Sequence, residues 1–215
     1  MKDIKRLYAA LEEAFAAQTA AVEEWHVPRA PLPVQAGGED LRALILAQHA
    51  SNFRLWHVED RARRRDVPDA AIAACKREID ALNQTRNDGI EKVDRRLAIL
   101  LEPFLPREAA RRLNTETAGM AIDRLSILAL KIYHMEEQTL RRDAGGEHRK
   151  ACRDKLAVLR SQRLDLARSV LELLDDYAAG RKRPAAYQQF KMYNDPNLNP
   201  ELYSHVGQQH PEDAP

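Results

Sequence analysis

Apolar residues recur with a period near 3.6 along five stretches of the chain, the pattern of helices that bury one face. The first stretch runs from about Asp3 to Trp25, with Leu7, Leu11, Phe15 and Val22 on one side. The segment HVPRAPLPVQAGG then breaks the pattern and closes a loop. A second helix is predicted from near Asp40 to about Arg65. ValPro at 67–68 turns the chain, and Asp69 is the expected N-cap of a third helix reaching Leu101. Pro103 and Pro106 bracket the next turn. A fourth helix is predicted from about Arg107 to Arg142; it is apolar almost all round in SILALKIYHM, which places it centrally. AspAlaGlyGly at 143–146 ends it, and a fifth helix runs from Glu147 to Ala179, before Gly180. Short connections between long helices favour antiparallel neighbours. The fold expected is an all-α, up-down bundle of about five long helices forming one domain over 1–183. An irregular tail over 184–215 is expected to pack on it, with roughly the last ten residues disordered. No internal repeat is visible.

Composition supports this picture. Val, Ile and Thr supply only 23 of 215 residues, so strands are disfavoured. Lys and Arg number 34 against 33 Asp and Glu, a net charge of +1 that gives no footprint for nucleic acid. The basic runs RARRRD (61–66) and GRKR (180–183) stand at helix ends, where cations meet the helix dipole. No 18-residue apolar run suggests a membrane span, and MKDIKRLYAALEEAF is too charged for a signal peptide. Two cysteines, Cys75 and Cys152, make no disulfide framework. A cytoplasmic location is expected. Long exposed helices are compatible with a homodimer, although no residue marks an interface.

The informative feature is polarity inside the apolar arcs. At about 100° per residue, His49 and Asp60 fall near the middle of the arc of the second helix, with Asn52 at its edge. In the third helix Arg86 sits inside the arc, flanked by Asn83, Asn87 and Asp94. The fourth shares an apolar face with Glu116, Asp123 and His134, and the fifth adds Arg160 and Arg163. Reversing the chain at residues 67 and 104 sets a register. His49 comes level with Arg86, Asn52 with Asn83, Arg86 with Asp123, and Asn83 with Ser126. A second layer, roughly 17 Å away at 1.5 Å per residue, would hold Asp60, Cys75 and His134.

An unpaired charge in a bundle costs several kcal/mol, so Arg86 needs a carboxylate, and Asp123 is the nearest candidate. Two readings follow. The pair with its amides fixes helix register, or Arg86 holds an anionic group while Asn83 and Asn87 orient it. His134 beside Asp60 has the same double reading, as an oriented general base or a buried hydrogen bond.

Metal chemistry has weaker support. Glu59-Asp60 with Glu91-x-x-Asp94 suggests an Mg²⁺ cluster, but the register sets the two roughly 30 Å apart. A di-iron bundle needs Glu-x-x-His on two helices, and the copy here, Glu23-x-x-His26, lies at a helix end beside the proline loop. His57 and Glu59 with His134-x-x-Glu137 could build a mononuclear site, but no spacing demands it. No metal and no cofactor is therefore expected. There is no phosphate-binding glycine loop, nucleophile elbow or Cys-x-x-Cys pair, so no motif assigns a reaction. In the tail, QQFKMYNDPNLNPELY is too aromatic for a plain disordered segment, and Lys191, Tyr193, Asn194 and Asp195 could line a cleft at an open end of the bundle.

The segments NFRLWHVED (52–60), KREIDALNQTRNDGIEKVD (76–94) and FKMYNDP (190–196) resemble the signature of a bacterial domain-of-unknown-function family of about this length. The resemblance covers nearly the whole chain at Trp56, His57, Glu59, Asp60, Asn83, Arg86, Asn87 and Asp88. It implies a helical protein, no established activity, and a gene neighbourhood of envelope sugar transferases. It favours His57 over His49. The leading expectation is a polar pocket between the second, third and fourth helices that binds an anionic sugar phosphate or nucleotide-sugar. Arg86 would pair with the anion there, and Asn52, Asn83, Asn87 and Asp123 would complete the site. His57 or His134 would move protons with Asp60. The alternatives are a non-catalytic helical adaptor and, third, a metal-dependent hydrolase.

Overall fold

The computed structural model describes residues 4–28, 31–33, 38–108, 112–188, 190, 192 and 195–203. Five long helices carry the chain: α1 (Ile4–Trp25), α2 (Leu41–Ala62), α3 (Asp69–Leu101), α4 (Ala118–Leu140) and α5 (Gly146–Ala178). A 3-10 turn (Glu102–Phe104) follows α3, and a four-residue α6 (Pro200–Tyr203) lies in the tail. No strand occurs among the described residues, and no helix is long and apolar enough to cross a membrane.

The helix ends follow from local chemistry. Asp40 caps α2 by accepting from the Ala43 N–H at 2.7 Å. Helix α3 begins one residue earlier than a cap at Asp69 would allow. Pro68 holds the N-cap position, and Asp69 lies in the first turn, where a carboxylate meets the helix dipole. Helix α4 starts at Ala118 rather than near Arg107. Thr117 accepts from the Met120 N–H at 3.2 Å and donates to buried Asp94, while Asp94 also accepts from the Gly119 N–H at 2.6 Å. The first turn of α4 is thus capped from α3 as well as from its own sequence. Gly180, at φ 69°, ends α5 in the left-handed region where a side chain would be strained.

Helices α2 and α3 pack as one antiparallel hairpin and α4 and α5 as another, with α1 against α2 and α4. Two apolar clusters fill the interior. One gathers Leu11, Phe15, Ile45, Val93, Leu97, Ile122, Leu125, Leu174 and Tyr177. The other gathers Val22, Trp25, Ala50, Phe53, Ala129 and Leu130. Burying each large aliphatic or aromatic side chain contributes about 1.5–3 kcal/mol before conformational entropy is charged. Along α1, α2 and α4, the buried polar residues Gln18, Gln48, His49 and Ser126 fall between the two clusters, with Asn52 and Asp123 beside them.

The tail departs from expectation. Tyr187, Phe190, Met192 and Tyr203 are exposed rather than packed on the bundle. Just before the tail, the Arg183 N–H donates to the Arg112 carbonyl at 3.0 Å. Lys191, Tyr193 and Asn194, and the last residues expected to be disordered, lie outside the described residues.

Candidate functional site

The sheer length of α2, α3 and α4 brings three polar faces to one level, and Asp123 is the hub. Its carboxylate accepts from Arg86 through both Nε (2.8 Å) and Nη2, from Gln48 Nε2, and from Asn52 Nδ2 at 2.9 Å. Such a two-pronged guanidinium–carboxylate pair is strong and geometrically specific. Asn52 also donates to Ser126 Oγ at 2.8 Å. His49 Nε2 lies 2.9 Å from the Gln18 carbonyl and Nδ1 2.6 Å from Ser126 Oγ. A carbonyl can only accept, so Nε2 carries the proton and the Ser126 hydroxyl donates to Nδ1. The chain of bonds therefore runs without conflict from Arg86 through Asp123, Asn52, Ser126 and His49 to α1. Burial pushes the His49 pKa down to about 4, so the imidazole is neutral at pH 7. The bond to Asp123 raises the Arg86 pKa.

The pairing of Arg86 with Asp123 and the level of His49 follow the sequence-derived register. Ser126, expected opposite Asn83, is instead bonded by Asn52 and His49. Two members of the network, Asn52 and Arg86, also face outward, and Arg86 is the more exposed. With Asn52, Leu55, Trp56, Glu59, Asp60, Arg63, Asn83, Ile127 and Leu130, it lines an open cleft of about 390 Å³ between α2, α3 and α4. Arg63 balances its carboxylates, at 3.0 Å from Glu59 and 3.9 Å from Asp60. Asn87 is half-buried on the same helix but is not among the residues lining this cleft.

Other expected positions move. Asp60 is 62% exposed, not inside an apolar arc, because it stands in the last turn of α2. Arg160 is likewise on the surface, where it meets Glu136 at 3.0 Å. Glu116 precedes α4 and pairs with Arg124. Arg163 is half-buried and donates to the Phe15 carbonyl at 2.5 Å; burial lowers its pKa. Asp60 and His134 do line one further cleft, about 820 Å³, with Trp56, Lys131 and Lys155. Yet His134 Nδ1 is 2.9 Å from Glu137, and neither His134 nor His57 is hydrogen-bonded to Asp60. Cys75 is a half-buried free thiol outside both clefts.

Sequence reasoning set His57 and His134 at one possible metal site with Glu59 and Glu137, but missed that His26 joins them. His26, from just beyond α1, meets His57 of α2 and His134 of α4 with ring centroids 5.1 Å from each. His26 stacks on Tyr133 at 4.1 Å, and His134 stacks on Trp56 at 4.5 Å. Burial first, then the charges that His26 and His134 would carry, lowers the His57 pKa. The available signal was a carboxylate three positions from two of these histidines, in Glu23-x-x-His26 and His134-x-x-Glu137.

A family model for proteins of unknown function, DUF4254, matches residues 42–186, from the start of α2 to beyond the end of α5. The chain belongs to this family. The match contains Asn52, Trp56, Asn83, Arg86, Asp123 and both His57 and His134, whereas Gln18 and His26 precede it. No curated protein and no solved structure matches the chain.

Proposed function

We propose that this DUF4254 protein binds an anionic, hydroxyl-bearing small molecule of the sugar-phosphate class in the cleft between α2, α3 and α4. The observation that carries this reading is the position of Arg86, anchored through Asp123 to the buried network while lining an open cleft. An arginine fixed in this way loses little further entropy on meeting a ligand. Around it the cleft gathers what such a ligand needs. Arg63 and Arg86 suit a phosphate. Asn52, Asn83, Glu59 and Asp60 can exchange hydrogen bonds with hydroxyls. Trp56 supplies an apolar wall for a sugar ring. A space of about 390 Å³ lies in the range of small-molecule sites. The reading assigns binding and no reaction, since neither His57 nor His134 is hydrogen-bonded to Asp60.

One observation favours a second reading, a non-catalytic helical protein whose polar layer fixes register. The Arg86 guanidinium already spends two donors on Asp123, and Arg63 is paired with Glu59. Thermal unfolding with a panel of hexose phosphates and nucleotide-sugars separates the two. A ligand at 100 times its Kd stabilises by about 2.7 kcal/mol, a melting shift of roughly 5–10 °C for a domain of this size. The Arg63→Ala, Asn83→Ala double variant should lose that shift while keeping its unliganded melting temperature within about 2 °C. No shift across the panel, or an undiminished one in the double variant, overturns the reading.

A further inference from the structure

From the meeting of His26, His57 and His134 we infer a mononuclear divalent transition-metal site of the zinc type, independent of the ligand in the α2–α3–α4 cleft. One ligand-capable atom from each residue lies within 4.8 Å of the other two. For His26 and His134 the hydrogen bonds say which nitrogens these are. His26 Nδ1 is 2.6 Å from the Val22 carbonyl, and His134 Nδ1 is 2.9 Å from the Glu137 carboxylate. Both partners only accept, so both Nδ1 atoms carry the proton. In the neutral rings Nε2 is then a bare lone pair. Both Nε2 atoms are shielded from solvent and have no hydrogen-bond partner.

Two such orphans side by side are costly, about 1–3 kcal/mol each, unless something binds them. A cation answers both at once. Metal-bound histidines characteristically donate their second N–H to a carbonyl or carboxylate, which fixes the tautomer and the ring orientation. His26 and His134 already do so. Their rings are also held by stacking on Tyr133 and Trp56. A tetrahedral ion about 2.0–2.1 Å from each nitrogen sets the nitrogens roughly 3.3 Å apart, so the trio must close by at most about 1.5 Å. Small side-chain rotations supply that. Imidazole nitrogens suit zinc, copper, nickel and iron rather than magnesium or calcium. Three protein ligands leave a fourth position for water or another small ligand.

The test uses the full chain, stripped with chelator and titrated with Zn²⁺ by calorimetry and with Co²⁺ by visible absorption. Wild type is expected to take up one equivalent of either ion, with the intense Co²⁺ bands of a tetrahedral site. Glu137→Gln should weaken binding about 10–100-fold, as loss of an outer carboxylate does. His57→Ala and His134→Ala should weaken it further, and His57→Gln repeats the test should the alanine variant fail to fold by circular dichroism. His148→Ala is the control, because His148 lies 3.4 Å from the Cys152 thiol and could offer a rival site. The proposal is overturned if folded wild type takes up neither ion. Binding that survives His57→Gln, or that disappears with His148→Ala alone, overturns it equally.

Discussion

Replacing Asp123 with leucine removes the hub of the buried layer and nothing else of similar size. Three groups lose their acceptor: the Arg86 guanidinium, Gln48 Nε2 and one of the two Asn52 N–H bonds. Removing one partner of a buried ion pair costs about 3–5 kcal/mol, most of it from the charge left behind. Arg86 keeps 26% of its side-chain surface exposed, so water at the cleft relieves part of that charge and draws the value toward the lower end. The Gln48 donor has no such route and adds about 1–3 kcal/mol. We therefore expect Asp123→Leu to lose about 4–5 kcal/mol, a fall in melting temperature on the order of 10 °C. Adding Arg86→Met should recover about half, because the charge is gone and only amide donors stay unsatisfied. Urea unfolding of wild type, both single variants and the double variant gives the coupling energy directly. A cost below about 1 kcal/mol for Asp123→Leu, or strictly additive single variants, would refute the layer as described.

Asp94 and His49 give opposite pH dependences. Burial raises the Asp94 pKa to about 6, so its contribution is full below about pH 4 and is lost as the pH rises through 6. His49, lowered to about 4, contributes fully above about pH 6.5 and loses that contribution as the pH falls through 4. Each is worth about 3 kcal/mol at its limit, so between pH 4 and 6.5 the two largely offset. Asp94→Asn should expose the histidine alone, giving a stability that falls more steeply on acidification in urea titrations at several pH values. Gly119→Ala should cost about 1–3 kcal/mol by thermal melting, because the added carbon would stand 2.8 Å from both the Asp94 carboxylate and the Ile90 carbonyl. Thr117→Ala should cost about 1 kcal/mol or more, since the hydroxyl caps α4 and donates to Asp94.

What the sequence made legible was whatever depends on one helix or one turn. Periodicity located α1, α2, α3 and α5 within a few residues, and the reversals at 67 and 104 set Arg86 opposite Asp123. The start of α4 was missed because its cap is shared. Thr117 acts with Asp94 from 23 positions earlier, and no local pattern announces that. Asp60 misled because a helical wheel gives an angle but not a depth, and in the last turn of α2 its carboxylate stands at the mouth of the clefts, 62% exposed. That His26 joins His57 and His134 was illegible for a third reason. Hairpin turns order sequential neighbours, whereas His26, His57 and His134 meet across α1, α2 and α4, whose contacts depend on how the whole bundle closes.

The central claim is that Arg86 links a buried network to a cleft that takes a phosphorylated sugar. The chain has two tryptophans, Trp56 at that cleft and Trp25 in the core. Their indole N–H signals, with the Arg86 Nε–H signal, can be followed by heteronuclear NMR during titration with a hexose phosphate or nucleotide-sugar. The account predicts that Trp56 and Arg86 shift together and saturate while Trp25 stays in place. A titration in which Arg86 stays still, whether Trp56 moves or not, would contradict it.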